Sequence, residues 1–306
     1  IMSGTITTGS AQRLLQLGVQ SVWDNANKEW EPMYPKLFNV QKASKGAYEL
    51  TVQMSNMGLA SVKGEGDDIE MDSTKQLFAP KFVHVAYGKG YVITREAIDD
   101  NKYNYYRKGA QALNRAMNLT REVRSHVLYN TAFATSSAMT GGDGVAMIST
   151  THLNGNGGTY SNRLAIDANF SEAALEDMLK LIMRAKDDRG LARKLRPMTL
   201  IGHTDQMFEF DRVLNSNLRS GTAENDKNAV KGTISGGYVL SPFLDSNTKA
   251  WFIRTDAEEG MTFFDRTPLE FGEDEDFGTY NKRYKAYMRF STGYSDPQGI
   301  FGTQGV

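Results

Sequence analysis

Residues 46–94, GAYELTVQMSNMGLASVKGEGDDIEMDSTKQLFAPKFVHVAYGKGYVIT, decide how the rest of the chain is read. The stretch opens with strict alternation: Tyr48, Leu50 and Val52 lie on one side, Glu49, Thr51 and Gln53 on the other. That pattern predicts a strand with one wet face. A second alternating run, KFVHVAYGKGYVIT at 81–94, returns after an acidic, glycine-bearing middle, so 46–94 reads as one long β-hairpin. Its outer part places Glu65, Asp67, Asp68, Glu70 and Asp72 within eight positions. A metal site, a catalytic pair, a disordered spacer and a surface for another protein are the readings open at that point. The D-x-[DN]-x-[DN]-G calcium loop does not fit, because Gly66 precedes the carboxylates instead of turning between them. A two-stranded projection is marginal in water on its own, so this one needs something to pack on.

Upstream, AQRLLQLGVQSVWDNA predicts a short helix, and KEWEPMYPKLFNVQK is interrupted by Pro32 and Pro35, which predicts an extended arm. Trp23, Trp30, Tyr34 and Phe38 in that arm need apolar surface, from the same subunit or another. Downstream, Tyr106, Ala110, Leu113, Met117, Thr120, Val123 and Val127 recur every three or four residues, predicting one helix from Arg95 to about Thr135, with Gly109 as a weak point. Residues 140–167 are rich in turn formers and read as loop with short strands. Ser171 is placed to cap a helix that Gly190 ends, and Thr204 to cap a second after the buried strand 197–203. Strands are predicted at 236–244, 249–254, 259–265 and 283–294, with the acidic run at 273–276 as a solvated loop. Helices and strands mix without a βαβ rhythm, so the fold class is α+β.

Composition narrows the function. With 306 residues, 40% hydrophobic and 23% charged, the chain is long enough to bury a sizeable core, and a net charge of −1 gives no overall basic surface for nucleic acid. There is no cysteine, which removes disulfides, thiolate metal sites and cysteine nucleophiles. No apolar run approaches a membrane span, and the first residues lack the pattern of a secretory signal, so a soluble, unexported protein is expected. The 14 methionines read as core filling.

Enzyme motifs fail one by one. GEGDDI, GKGYVI and GNGGTY each lack the third glycine of a dinucleotide loop, and GYSDP places proline where the helix of a nucleophile elbow should begin. His84, His126, His152 and His203 are far apart in sequence and none lies in H-E-x-x-H, so each reads as a satisfied surface or core histidine. The densest basic cluster, Arg184, Lys186 and Arg189 with RKLRP at 193–197, reads as a solvated helix end in preference to a phosphate contact. No catalytic, cofactor or metal residue is assigned.

The order of parts then carries a resemblance. WEPMYPKLFNVQKASKGAYEL leading into the hairpin, HLNGNGGTYSNRL, TLIGHTDQMFEFDRVLNS, SPFLDSNTKAWFIR and YKAYMRFSTGYSDPQGIFG together resemble the major capsid proteins of tailed bacteriophages with the HK97-type fold, nearest to the Mu-like major head subunits. The resemblance implies an N-terminal arm (1–45), an extended E-loop (46–94), a P-domain (95–140 and 283–306) and an A-domain (141–282), the last with loops around 221–237 facing the capsomer axis. It implies a structural subunit of pentamers and hexamers forming an icosahedral head around double-stranded DNA, assembled in the host bacterial cytoplasm with scaffold, portal and decoration proteins as partners, without cofactor or membrane. Glu65, Asp67, Asp68, Glu70 and Asp72 of the E-loop, and Trp23, Trp30, Tyr34 and Phe38 of the arm, would contact neighbouring subunits. Lys63 and Lys75 read as ordinary solvated lysines, with no covalent crosslink expected. A nanocompartment shell of the same fold and a hydrolase or lyase are the alternatives.

Overall fold

The computed structural model describes residues 8–42, 44–100, 103–135, 141–218 and 227–306. Its helices are α1 (Thr8–Glu29), α2 (Tyr34–Leu37), α3 (Arg95–Asp99), α4 (Tyr103–Asn130), α5 (Glu172–Met183) and α6 (Met207–Asn215). Its strands are β1 (Asn39–Gln41), β2 (Tyr48–Leu50), β3 (Lys81–Val83), β4 (Val85–Ile93), β5 (His152–Leu153), β6 (Thr159–Tyr160), β7 (Pro197–His203), β8 (Tyr238–Ser241), β9 (Trp251–Thr255), β10 (Met261–Glu275), β11 (Lys282–Tyr294) and β12 (Ile300–Thr303). The mixture is α+β, as expected. Among the described residues no helix is long and apolar enough to cross a membrane. The chain divides into two compact units: the described residues of 1–33 with 84–124 and 265–290, and 34–83 with 125–264 and 291–306.

In the first unit β11 pairs antiparallel with β4, from Lys282 opposite Ile93 to Phe290 opposite Val85. Tyr284, Ala286, Met288 and Phe290 alternate inward along β11, the period of a half-buried strand. Val19 and Val22 of α1 join Ile93, Ala110 and Tyr284 in one core. Gly109 now has a reason: a Cβ there would stand 3.0 Å from the Tyr91 ring. The single helix predicted from Arg95 is two. Thr94 caps α3 by accepting from the Ala97 amide at 3.4 Å, and α3 ends at Asp99, with the Asp100 amide donating back to the Glu96 carbonyl at 2.9 Å. Helix α4 has 28 residues and spans about 42 Å at 1.5 Å per residue.

The face of α4 also differs from the periodic reading. Ala110, Leu113 and Met117 are buried, but Val123 is 44% exposed, and Asn114, Asn118 and Glu122 are inside instead. Hydrogen bonds hold them there: Asn118 Nδ2 donates to Asn114 Oδ1 at 2.8 Å and to Asn27 Oδ1 at 3.3 Å, and Glu122 Oε1 accepts from the Met33 amide at 2.9 Å, while Asn114 Nδ2 is buried without a partner among the described residues. The side chain of Tyr106 lies outside the described residues.

The second unit is organised by a four-stranded sheet in the order β12-β9-β7-β8. Strand β8 runs parallel to β7, and β9 and β12 follow antiparallel. Leu175, Met178, Leu179 and Ile182 of α5 and Phe210 and Leu214 of α6 pack with Trp251, Ile253 and Phe301 of the sheet. Ser171 caps α5 as predicted, accepting from the Ala174 amide at 3.2 Å. The second predicted cap moves by one residue: His203, through Nδ1, accepts from the Asp205 amide at 3.1 Å, ahead of the 3₁₀ turn Thr204–Gln206. Strand β10 runs on to Glu275, so the acidic 273–275 ends a strand instead of forming a loop, and the turn follows at Asp276, whose amide donates to the Asn281 carbonyl at 2.9 Å.

The long hairpin closes differently from the prediction. Strand β2 pairs with β3, Tyr48 opposite Val83 and Leu50 opposite Lys81, and the bonding continues irregularly through Gln53 with Phe78 and Ser55 with Lys75. The run 81–94 divides at His84, because β4 takes its partner from β11 over nine residues. An alternating sequence sets which side faces inward and leaves the choice of partner open.

Candidate assembly interface

Between Ser55 and Leu77 the loop of the second unit leaves the compact body: every residue from 56 to 76 is exposed. Its returning arm is seated by close approach. A Cβ on Gly155 would stand 2.2 Å from Leu77 Cδ2, and one on Gly293 would stand 2.1 Å from the Phe82 ring, so these two glycines leave the depressions that Leu77 and Phe82 fill.

Above that seat, the turn 187–190 grips both arms. Asp187 shapes the turn, its Oδ1 accepting from the Arg189 amide at 2.9 Å and the Leu191 amide at 2.8 Å, and Gly190 adopts a φ of 81°, in the left-handed region that favours glycine. Asp188 Oδ1 accepts from the Asn56 amide at 3.0 Å and from Asn56 Nδ2 at 3.1 Å, while Oδ2 accepts from Asn156 Nδ2 at 3.2 Å. Arg189 reaches further: Nε donates to the Asn56 carbonyl at 3.1 Å, and Nη2 to Asp72 Oδ1 at 3.1 Å and the Ser73 carbonyl at 3.2 Å. Asp72 in turn accepts from the Gly58 amide and the Ser73 amide, each at 2.8 Å. The Gly58 and Ser73 amides, with the Arg189 guanidinium, hold its carboxyl below the ordinary carboxylate value.

Beyond this neck the loop mixes two kinds of surface. Glu65, Asp67, Asp68 and Glu70 are exposed, with Asp67 forming a local turn through the Gly64 amide at 3.1 Å. Among them stand Met57 (61% exposed), Leu59 (81%), Val62, Ile69 (70%) and Met71 (89%). The carboxylates are conspicuous in the sequence; the apolar residues between them were missed, because no strand or helix period links them. A projecting run of large apolar side chains marks an interaction surface. Of the five carboxylates, Asp67 bonds only within its own turn, and Asp72 is tied to the 187–190 turn through Arg189.

The arm aromatics find apolar surface within the chain. Trp23 stacks on Phe271 at 4.7 Å, Tyr34 packs tilted against Phe263 at 4.5 Å, and Phe38 meets Tyr129 edge-on at 5.6 Å. These three rings are buried and present little to a second copy; Trp30 is half-buried.

The basic cluster also turns inward in part. Arg193 pairs with Asp296 and donates to Gln298 Oε1 at 3.0 Å. A cavity of about 330 Å³ lies under the loop stem, lined by Met54, Phe78, Tyr160, Glu258, Glu259 and Asp296 among others. Burial, with Asp296 and Glu258 nearby, pushes the Glu259 carboxyl up. The carboxylates there serve structure: Asp296 Oδ1 caps the next turn through the Gln298 amide at 2.8 Å. The histidines are similarly occupied. His152 Nδ1 meets Asp143 Oδ2 at 2.6 Å in a buried pair, and His126 Nε2 meets Ser241 Oγ at 2.8 Å. Among the described residues no three His, Asp or Glu side chains are grouped to hold a metal ion.

Comparison with known proteins bears on what this arrangement is for. No curated protein matches the chain by sequence. Solved structures with a similar backbone include a virus-like particle from Pyrococcus furiosus, at 9% identity and a TM-score of 0.52 over 93% of this chain and 97% of that one. The procapsid of bacteriophage JBD30 is 14% identical with a TM-score of 0.51, covering 98% and 77%. The capsid of the cyanophage P-SCSP1u is 9% identical with a TM-score of 0.54, covering 90% and 88%. At such identities the likeness shows the fold, which is the HK97-type capsid fold. The sequence profile described as phage capsid protein matches residues 80–302. On that match the chain belongs to the phage capsid protein family, and it is a shell-forming structural subunit of the virion head, not an enzyme.

Proposed function

We propose that this subunit tiles an icosahedral head as pentamers and hexamers around double-stranded DNA, with the loop 56–76 of each copy lying on its neighbour. The observation that carries this reading is the row of exposed Met57, Leu59, Val62, Ile69 and Met71 on a projection with no core of its own. Water leaves those side chains uncovered in the lone chain, and a second copy covers them. Glu65, Asp67, Asp68 and Glu70 flank the apolar row and face basic groups of the neighbour. There they oppose wrong edge-to-edge pairing, since like charges repel along an unpaired strand. Half-buried Trp30 is the arm aromatic we assign to a contact between copies.

We further assign the subunit to the Mu-like major head proteins, with residues 46–94 as E-loop, 95–140 and 283–306 as P-domain and 141–282 as A-domain. Within the A-domain, residues 221–226 lie outside the described residues. Assembly in the host bacterial cytoplasm, with scaffold, portal and decoration proteins, completes the reading. Electron microscopy of the purified protein, alone and with its scaffold, tests it: closed shells or hexamer sheets are expected, and a uniform small oligomer under every condition would refute it.

A further inference from the structure

The loop is held to the body of the second unit at two levels, and they differ in kind. The seat is apolar and close-fitting: half-buried Leu77 and Phe82 sit over Gly155 and Gly293. The neck is polar and open to water: the Arg189 and Asp72 side chains are 30% and 36% exposed. An exposed ion pair is weak and is screened by salt, so the neck is the level at which the projection can change direction while its base stays fixed. Arg189 is the residue through which both arms pass, since it bonds Asn56 on the way out and Asp72 and Ser73 on the way back. A planar guanidinium with several fixed donors suits this task, where a lysine would supply one point of charge.

We propose that Arg189 is a positioning residue for assembly: by tying the two arms to the 187–190 turn it sets the direction in which the apolar and acidic tip is presented to the next copy. This rests on the reading of the loop as an assembly arm. The other groups of the corner support the same geometry, Asp188 fixing the Asn56 backbone and Asp187 and Gly190 fixing the turn itself.

Two amides report the clasp in the unassembled chain, Asn56 on Asp188 and Gly58 on Asp72. In Arg189→Ala, hydrogen exchange at these two amides should rise by about threefold or more, the size of effect an exposed charged pair supports. Exchange in β7, at the centre of the sheet, should stay at the parent rate, showing that the variant is folded. Asp72→Asn, which keeps the shape and an acceptor for Gly58, should loosen the neck less than Arg189→Ala, and Arg189→Lys should fall between parent and Ala. By electron microscopy, shells of Arg189→Ala should be fewer or irregular in diameter. Unchanged exchange at Asn56 and Gly58 would overturn the clasp, and raised exchange with parent-like shells would overturn its positioning role. If the parent chain forms no shells yet exchange responds as stated, the clasp stands and the assembly reading falls.

Discussion

Phe38 is 1% exposed, and its ring touches both Tyr129 and Phe263. Replacing a buried phenylalanine by alanine costs about 3–5 kcal/mol through lost burial and the cavity left behind, so Phe38→Ala should lower the unfolding midpoint of the subunit in chemical denaturation. A variant within about 0.5 kcal/mol of the parent would show that the ring's cover lies in another copy instead. Asp72 allows a sharper test. Its folded-state carboxyl lies below the ordinary value of 3.8, so the stabilisation it lends the neck is fully present above 3.8 and is lost as pH falls through the lower folded value. Carboxyl NMR titration should place the Asp72 midpoint below 3.8, and Arg189→Ala should move it upward; a midpoint at or above 3.8 in the parent would contradict the clasp. The types of these residues were legible in the sequence and their partners were not. Phe38 demanded cover from a source that its neighbours in sequence do not name, and Asp72 looked like the other four carboxylates until the chain brought Arg189, 117 positions away, to its side.

At the scale of elements, alternation and helical period located most strands and helices, including β7, β9, β11 and α5. What they could not supply was pairing. Strand β4 carries the same alternation whether it faces the arm at 46–54 or β11, and a nine-residue register with β11 won. The face of α4 was misjudged for a related reason: Asn114, Asn118 and Glu122 are polar by composition, and bonds between Asn118 and Asn114 and from the Met33 amide to Glu122 accompany their burial. The loop tip is the element that the assembly reading depends on. Removing residues 62–69 spares Asn56, Gly58, Asp72 and Ser73, so the neck is kept while Val62 and Ile69 are lost. Such a chain should keep the parent's circular dichroism and unfolding midpoint and fail to form shells; normal shells by electron microscopy would remove the tip from the interface.

For the whole molecule, the consequence is mass action. A subunit whose exposed apolar loop is covered only by other copies is stabilised by association, so its apparent Tm should rise with protein concentration. The chain lacking 62–69 should show one Tm at all concentrations, and equal concentration dependence in both chains would place the association elsewhere. What the sequence by itself determined was the α+β class, the inward faces of the strands, the presence of a charged projection that cannot stand alone, and, through the order of its motifs, the capsid family. These are local or cumulative properties, written in periodicity and in the types of residue that follow one another. Only the tertiary structure decided that the projection is clasped at its neck by the 187–190 turn, that Trp23, Tyr34 and Phe38 are covered by their own chain, and that apolar side chains stand bare among the carboxylates. Each of these depends on which distant segments meet, and a burial pattern that any apolar surface would satisfy does not choose among them.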